Sequence, residues 1–254
     1  MYDITEIKRN KRVVATVEAR MSSTRLPGKV LMPALDEPML LHLVRRLRAV
    51  SLIDEVVIAT SVSDADNVIM QFSETESICC YRGSESDVLG RVIGAATAAD
   101  AEIVVTITGD CPLIDPELVE QAIAVFLCHD VDFVTNAQIP TYPDGMDTQV
   151  MLLSLLKETA ELTNDPSDRE HVTRYICRNL ESYSRVHLLA PLPLRRPELA
   201  LTLDEFGDYK LLRSLIEEIS PLNPLFNLAD ILACLDNHPD WLQFNSDVVR
   251  KTCL

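Results

Sequence analysis

Val13-Val14-Ala15-Thr16-Val17, followed after Glu18 by Ala19-Arg20-Met21-Ser22-Ser23-Thr24-Arg25-Leu26-Pro27-Gly28-Lys29, decides the fold. The first five residues are the β-branched, apolar run of a strand buried on both faces. The loop after them holds three cations, three hydroxyls and a Pro-Gly turn. In open α/β sheets, ligands bind beyond the carboxyl ends of the strands. Arg20, Arg25 and Lys29 can pair with phosphate oxygens. Gly28 lets the backbone come close, and successive N–H groups can form an anion nest. The loop therefore has the chemistry to hold a nucleoside triphosphate, although it is neither a Walker loop nor a dinucleotide fingerprint.

Downstream, strand and helix signals alternate. Helices are expected over Met39 to Val50, with Arg45, Arg46 and Arg48 outward, and over Asp64 to Phe72 with Asp64 as N-cap. Further helices are expected over Asp87 to Ala99 and from Asp115-Pro116-Glu117. Strands are expected at Glu55 to Thr60, Ile78 to Tyr81, Ile103 to Ile107 and Val131 to Asn136. This alternation predicts a mostly parallel sheet covered on both faces. From Ala137 to Gly145 the rhythm breaks around Pro143-Asp144-Gly145. A strand follows at Thr148 to Leu152, then helices over Ser154 to Leu162 and Ser167 to Leu180. Ser167 and Glu170 read as a capping box for the second of these. Strands at Val186 to Leu189 and Leu199 to Leu203 precede an amphipathic helix, Phe206 to Ile219, and one capped by Asn227. The expected organisation is an N-terminal extension over 1–12, with Lys8 to Arg12 as a disordered basic tail, and one domain over 13–254. Within that domain, 137–190 forms an inserted lobe.

The chain has 254 residues, enough for one α/β domain with a full core. Its net charge is −16, which repels nucleic acid and anionic membranes over most of the surface. Between Lys8 and Lys29, however, seven basic residues accompany one acid, Glu18. Seven scattered cysteines, with no C-x-x-C, argue against a disulfide framework and against zinc. Neither a signal peptide nor a membrane span is read, so the cytoplasm is the expected compartment.

Other chemistry-bearing stretches lie at expected strand ends. Thr108-Gly109-Asp110-Cys111-Pro112-Leu113 follows the buried strand at 103–107. Asp115 already fills the local cap role, which leaves Asp110 placed to hold Mg²⁺ against a phosphate. Leu203-Asp204-Glu205-Phe206-Gly207-Asp208 repeats the theme, with Asp204 equally suited to be an N-cap. Tyr81-Arg82-Gly83-Ser84-Glu85-Ser86-Asp87-Val88-Leu89-Gly90-Arg91 lies at another strand end.

The first loop reads A-R-x-S-S-x-R-L-P-G-K. It resembles the signature loop of the sugar-acid cytidylyltransferases, which include CMP-Kdo synthetases, acylneuraminate cytidylyltransferases and the SpsF-like spore-coat polysaccharide proteins. Gly109-Asp110 with Pro112-Leu113 is similar to that family's G-D-x-P-L. Asp204 to Asp208 is similar to its D-x-P-E-D, with Phe206-Gly207 in place of Pro-Glu. Arg82 to Arg91 resembles an R-G-S-x-x-D-V-L-x-R segment, Tyr142 to Val150 a Y-P-x-G-x-D-x-E-V stretch with Gln149 in place of the acid, and Asp168 to Thr173 an E-R-E-H-V-T segment.

The resemblance implies a single-domain nucleotidyltransferase fold, glycosyltransferase-A-like and Rossmann-like, usually homodimeric, with the inserted lobe serving the sugar pocket or dimerisation. It implies CMP transfer from CTP to a sugar acid, with Mg²⁺ on Asp110 and Asp204. Arg20, Arg25, Lys29 and Asp110 would be catalytic. Ala19, Ser22, Gly28, Arg82, Ser84, Asp87, Asp144, Asp147, Arg169 and His171 would bind substrates, with Arg82 and Ser84 facing the base. Two alternatives stay open. One is a glycosyltransferase using a nucleotide-sugar, for which Asp64-Ala65-Asp66 and Asp130-Val131-Asp132 have the metal-binding spacing. The other is a non-catalytic nucleotide-binding homologue.

Overall fold

A computed structural model describes residues 8, 11–179 and 181–248. Cys253, Leu180 and most of the expected 1–12 extension lie outside the described residues. The elements, in chain order, begin with β1 (Val13–Glu18), a short ribbon of β2 (Pro33–Ala34) and β3 (Glu37–Pro38), and α1 (Met39–Arg48). Then come β4 (Glu55–Ser61), α2 (Asn67–Thr75), β5 (Cys79–Gly83), α3 (Val88–Ala98), β6 (Ile103–Thr108), α4 (Pro116–Cys128), β7 (Phe133–Thr135) and β8 (Gln149–Leu152). The rest are α5 (Leu153–Leu162), α6 (Pro166–Glu170), α7 (Arg174–Arg178), β9 (Arg185–His187), α8 (Phe206–Ile219) and α9 (Leu228–Asn237).

One sheet runs β5-β4-β1-β6-β8-β7-β9. Its strands are parallel except β8, which lies antiparallel between β6 and β7. β1 is central because its residues are apolar on both faces. Val13, Ala15 and Val17 pack in the cluster that holds Leu43, Leu47 and Ile123, whereas Val14 packs with Val57, Ala59 and Ala95. Residues 137–190 supply β8 and β9 to this same sheet, and α5 to α7 beside it. No helix among the described residues is long and apolar enough to cross a membrane.

Several expectations need correction. Arg46 does not face outward: it is buried, donating to Ile114 O at 2.6 Å and to Phe226 O, with its guanidinium 4.3 Å from the Phe226 ring. It thereby ties α1 to the segment before α9. Asp64 caps nothing through its side chain, since a 3-10 turn over Asp64–Asp66 precedes α2. The helix expected over 167–180 is two short ones. Asp165, not Ser167, caps the first by accepting from Ser167 N at 2.8 Å. Wholly buried Asp168 accepts from Thr163, Arg174 and Arg178 across the break between them. Leu199 to Leu203 is extended but joins no ladder beyond a single bridge between Asp144 and Ala200. Lys8 and Arg12 are held rather than free, by Asp54 at 2.8 Å and Glu55 at 3.8 Å.

Arg46→Leu should cost about 2–4 kcal/mol, because two buried carbonyls lose a charged donor. Urea denaturation would read this. A loss below about 0.5 kcal/mol would show that Arg46 is not a tie in the core.

Candidate active site

The carboxyl ends of β1, β4, β5 and β6 carry the loops singled out in the sequence. The first loop turns back at Gly28, whose φ of 72° and ψ of 9° suit a residue without a Cβ. Gly28 N donates to Met21 O at 3.0 Å, closing the loop, and a 3-10 turn over Lys29–Leu31 follows. Buried Asp66 pins the loop's near end, accepting from Met21 N at 2.7 Å and from Ser61. No local pattern signals this role, since Asp66 and Met21 are partners only through the fold. Ala19 is buried at the loop's root.

Lys29 is the centre of the site. Its Nζ lies 3.0 Å from Asp110 Oδ2 and 3.0 Å from Asp204 Oδ1, and Arg25 reaches Asp204 Oδ1 at 2.8 Å. β6 delivers Asp110 through Gly109, where a Cβ would stand 2.5 Å from Glu18 O. Leu203 N donates to Asp110 O at 2.8 Å, which draws the segment bearing Asp204 alongside. The cap role that Asp204 could have filled belongs to Glu205, in a capping box with Asp208. Asp204 is therefore available to the site. Burial works against the charge on Asp110, but Lys29 beside it, with hydrogen bonds from Thr108 and Lys29, holds its pKa below the usual carboxylate value. Burial likewise works against the charge on Lys29, and Asp110 and Asp204 override it to hold the ammonium above the usual lysine value.

Further acids crowd these two. Burial, then repulsion from Asp144 and Asp110, pushes Asp147 up to about 7. Glu18, at the end of β1, is pushed to about 7 by burial and by Asp110, against the pull of Arg91. Asp144 accepts from Thr202 Oγ1 at 3.4 Å. The site thus carries more negative than positive charge and favours an added cation. Asp110 and Asp204 converge on one positive charge already, and two carboxylates are what a protein commonly gives Mg²⁺, with phosphates and water completing the shell. Among the described residues no group of three or more His, Cys, Asp or Glu is arranged to hold a metal. Glu18 was visible in the sequence only as the single acid among the bases.

A second group joins the first loop to the segment after β5. Ser22 Oγ donates to Glu85 at 2.9 Å. Ser84 Oγ accepts from Asp87 N, and Asp87 caps α3 through Gly90 N at 2.9 Å. Arg169 donates to Asp87 and to Ala160 O, and buried Arg91 holds Ser84 O. Arg82 is engaged elsewhere, donating to Ser61 O and Ser63 O at 2.8 Å and to Asn67 at 2.7 Å. The guanidinium expected at the base thus holds the loop after β4. Arg20 and His171 are exposed. Gln149, where an acid was expected, accepts from Thr106 and Thr173. The two Asp-x-Asp stretches serve structure: Asp66 holds the first loop, and Asp132 accepts from Ser184 N and Oγ.

Because Asp147 titrates higher folded than unfolded, the folded state binds its proton more tightly. Its contribution to stability is fully present below about 4 and is lost as pH rises through about 7. Asp147→Asn should therefore stabilise the protein at pH 8 by on the order of 1–3 kcal/mol and give no gain at pH 4. Thermal unfolding at the two pH values checks this; an equal effect at both would remove Asp147 from the acid group.

The chain's likeness to known proteins agrees with this geometry. A cytidylyltransferase family model matches residues 14–215. Spore coat polysaccharide biosynthesis protein SpsF of Bacillus subtilis is 32% identical over 236 residues, 90% of this chain and 95% of that protein. A 3-deoxy-manno-octulosonate cytidylyltransferase of Geobacter metallireducens is 30% identical over 213 residues, 74% of this chain and 82% of that one. A cytidylyltransferase structure from Leptospira borgpetersenii superposes with a TM-score of 0.88 at 29% identity, covering 95% of this chain and 100% of that chain. With its expected α/β fold, its mostly parallel sheet and its ordered loops, the chain belongs to the cytidylyltransferase family.

Proposed function

We propose that the protein transfers CMP from CTP to a hydroxyl of a sugar acid and releases pyrophosphate, in the service of surface polysaccharide or glycan synthesis. The observation that carries this reading is Lys29 held between Asp110 and Asp204, with Arg25 beside them. The relatives named for 3-deoxy-manno-octulosonate and for spore-coat polysaccharide support the acceptor class.

The acceptor oxygen forms a bond to the α-phosphorus, and the hydroxyl proton passes to solvent water. The bond from that phosphorus to the bridging oxygen breaks, and its electron pair leaves with pyrophosphate. Lys29 and Arg25 would exchange their carboxylate partners for phosphate oxygens, and exposed Arg20 would reach the triphosphate from the same loop. The turn at Gly28 brings backbone close to the phosphates. Asp110 and Asp204 would hold Mg²⁺, which supplies charge neutralisation and lowers the pKa of the attacking hydroxyl. The chemistry then rests on positioning and charge, with no dedicated general base. Residues 137–190, with Asp144, Asp147, Arg169 and His171, would serve the acceptor side. Ser22, Ser84 and Asp87 would line the nucleotide side near Ala19. The reading includes a cytoplasmic homodimer; the net charge of −16 supports a protein that leaves nucleic acid and membranes alone.

Pyrophosphate release from CTP, Mg²⁺ and a panel of sugar acids tests the reading. Asp110→Asn should cut kcat/KM by at least about a hundredfold, the scale of removing one charge-organising group from a transition state. A variant within threefold of the parent would take Asp110 out of the reaction.

A further inference from the structure

Asp204 meets Lys29 because residues 199–204, which join no sheet, are held from three sides. Asp144 binds one side, through Asp144 N to Leu199 O at 3.0 Å and Leu201 N to Asp144 O at 2.8 Å. Asp110 O binds the second by accepting from Leu203 N. The third side comes from far along the chain. A 3-10 helix over Pro239–Phe244 ends at Asn245, whose Nδ2 donates to Ala200 O at 3.0 Å and to Asp208 Oδ1 at 2.9 Å. Asp208 is wholly buried, and its other oxygen accepts from Asp204 N at 3.1 Å and Glu205 N at 2.8 Å. A continuous line of hydrogen bonds therefore runs from the Asn245 amide, through a buried carboxylate, to the backbone of Asp204.

The seat of this late segment is close. A Cβ on Gly207 would stand 2.2 Å from Phe244 O. Glycine at 207 is the condition for that approach, which gives the Phe206-Gly207 departure from the resembled Pro-Glu a physical reason. Asn245 lies beyond residues 14–215, the span of the family match.

We propose that Asn245 is a positioning residue, which sets the Asp204 carboxylate through Asp208 and so tunes the cation site; the inference rests on the nucleotidyl-transfer reading. Asn245→Ala withdraws one charge-assisted donor from Asp208. Gly207→Ala displaces the segment while leaving every hydrogen-bonding side chain intact. In either variant the Mg²⁺ concentration giving half-maximal pyrophosphate release from CTP should rise about tenfold, the effect of losing one such bond, while KM for the acceptor holds. Amide hydrogen exchange at Asp204 and Glu205, in protein without nucleotide or metal, should quicken by a similar factor.

A purely structural Asn245 would lower the melting temperature and leave the Mg²⁺ half-saturation of the folded enzyme unchanged. Unchanged half-saturation together with unchanged exchange, in variants that remain folded at the assay temperature, overturns the proposal. Failure of the functional reading shows separately, as a parent protein that releases no pyrophosphate. The exchange contrast between parent and Asn245→Ala then still decides whether Asn245 holds Asp204 in place.

Discussion

One ammonium between two carboxylates is the constraint on which the site is built. Lys29, Asp110 and Asp204 are mostly shielded from water, with side chains 12%, 26% and 15% exposed. Lys29 and Asp110 would be costly to keep charged there alone, and each holds the charge of the other. The arrangement is balanced only locally. Asp144, Asp147 and Glu18 crowd the same end of the sheet, and two of them are pushed to about 7. On the proposed function, such a site would take up an arriving cation, and Lys29 and Arg25 would then turn to the polyanion.

The scaffold makes this possible by bringing together residues from three distant stretches. β1 and β6 are neighbours in parallel register, Glu18 opposite Thr108, so the first loop and the Asp110 loop leave the sheet side by side. Gly109 permits that contact. Asp204 comes from a segment that forms no ladder, and it depends on hydrogen bonds to Asp110, Asp144 and Asn245. The rigid part of the site is thus sheet, and the adjustable part is loop, as expected where a substrate must enter and leave.

Much of this was legible in the sequence because parallel strands buried on both faces leave unbroken apolar runs, which β1, β4 and β6 all do. Arg25, Lys29 and Asp110 were legible because they follow buried strands, and Asp204 because it follows an apolar run, all within a recognisable order of motifs. What the sequence hid depends on long-range partners. Arg46 reads as an outward cation on an amphipathic helix, and only the carbonyls of Ile114 and Phe226 bring it inside. Asp168 reads as part of one helix, yet its hydrogen bonds to Arg174 and Arg178 span the break between two. Arg82 reads as a base-facing guanidinium, and Ser61 O at the end of β4, Ser63 O in the following loop and Asn67 at the start of α2 accept from it. Asp66 shows only an Asp-x-Asp spacing that points to a different role, Glu18 only its place among bases, and Asn245 no local pattern at all.

On the proposed function, the ion cluster around Lys29 is a resting form of a site for a metal-bound cytidine triphosphate. Thermal unfolding with each of the four nucleoside triphosphates, with and without Mg²⁺, tests it most directly. Selective stabilisation by CTP that requires Mg²⁺, about 2.7 kcal/mol at a hundred times the dissociation constant, is the expected result. Stabilisation by a nucleoside diphosphate or a nucleotide-sugar, with none by CTP, would contradict it.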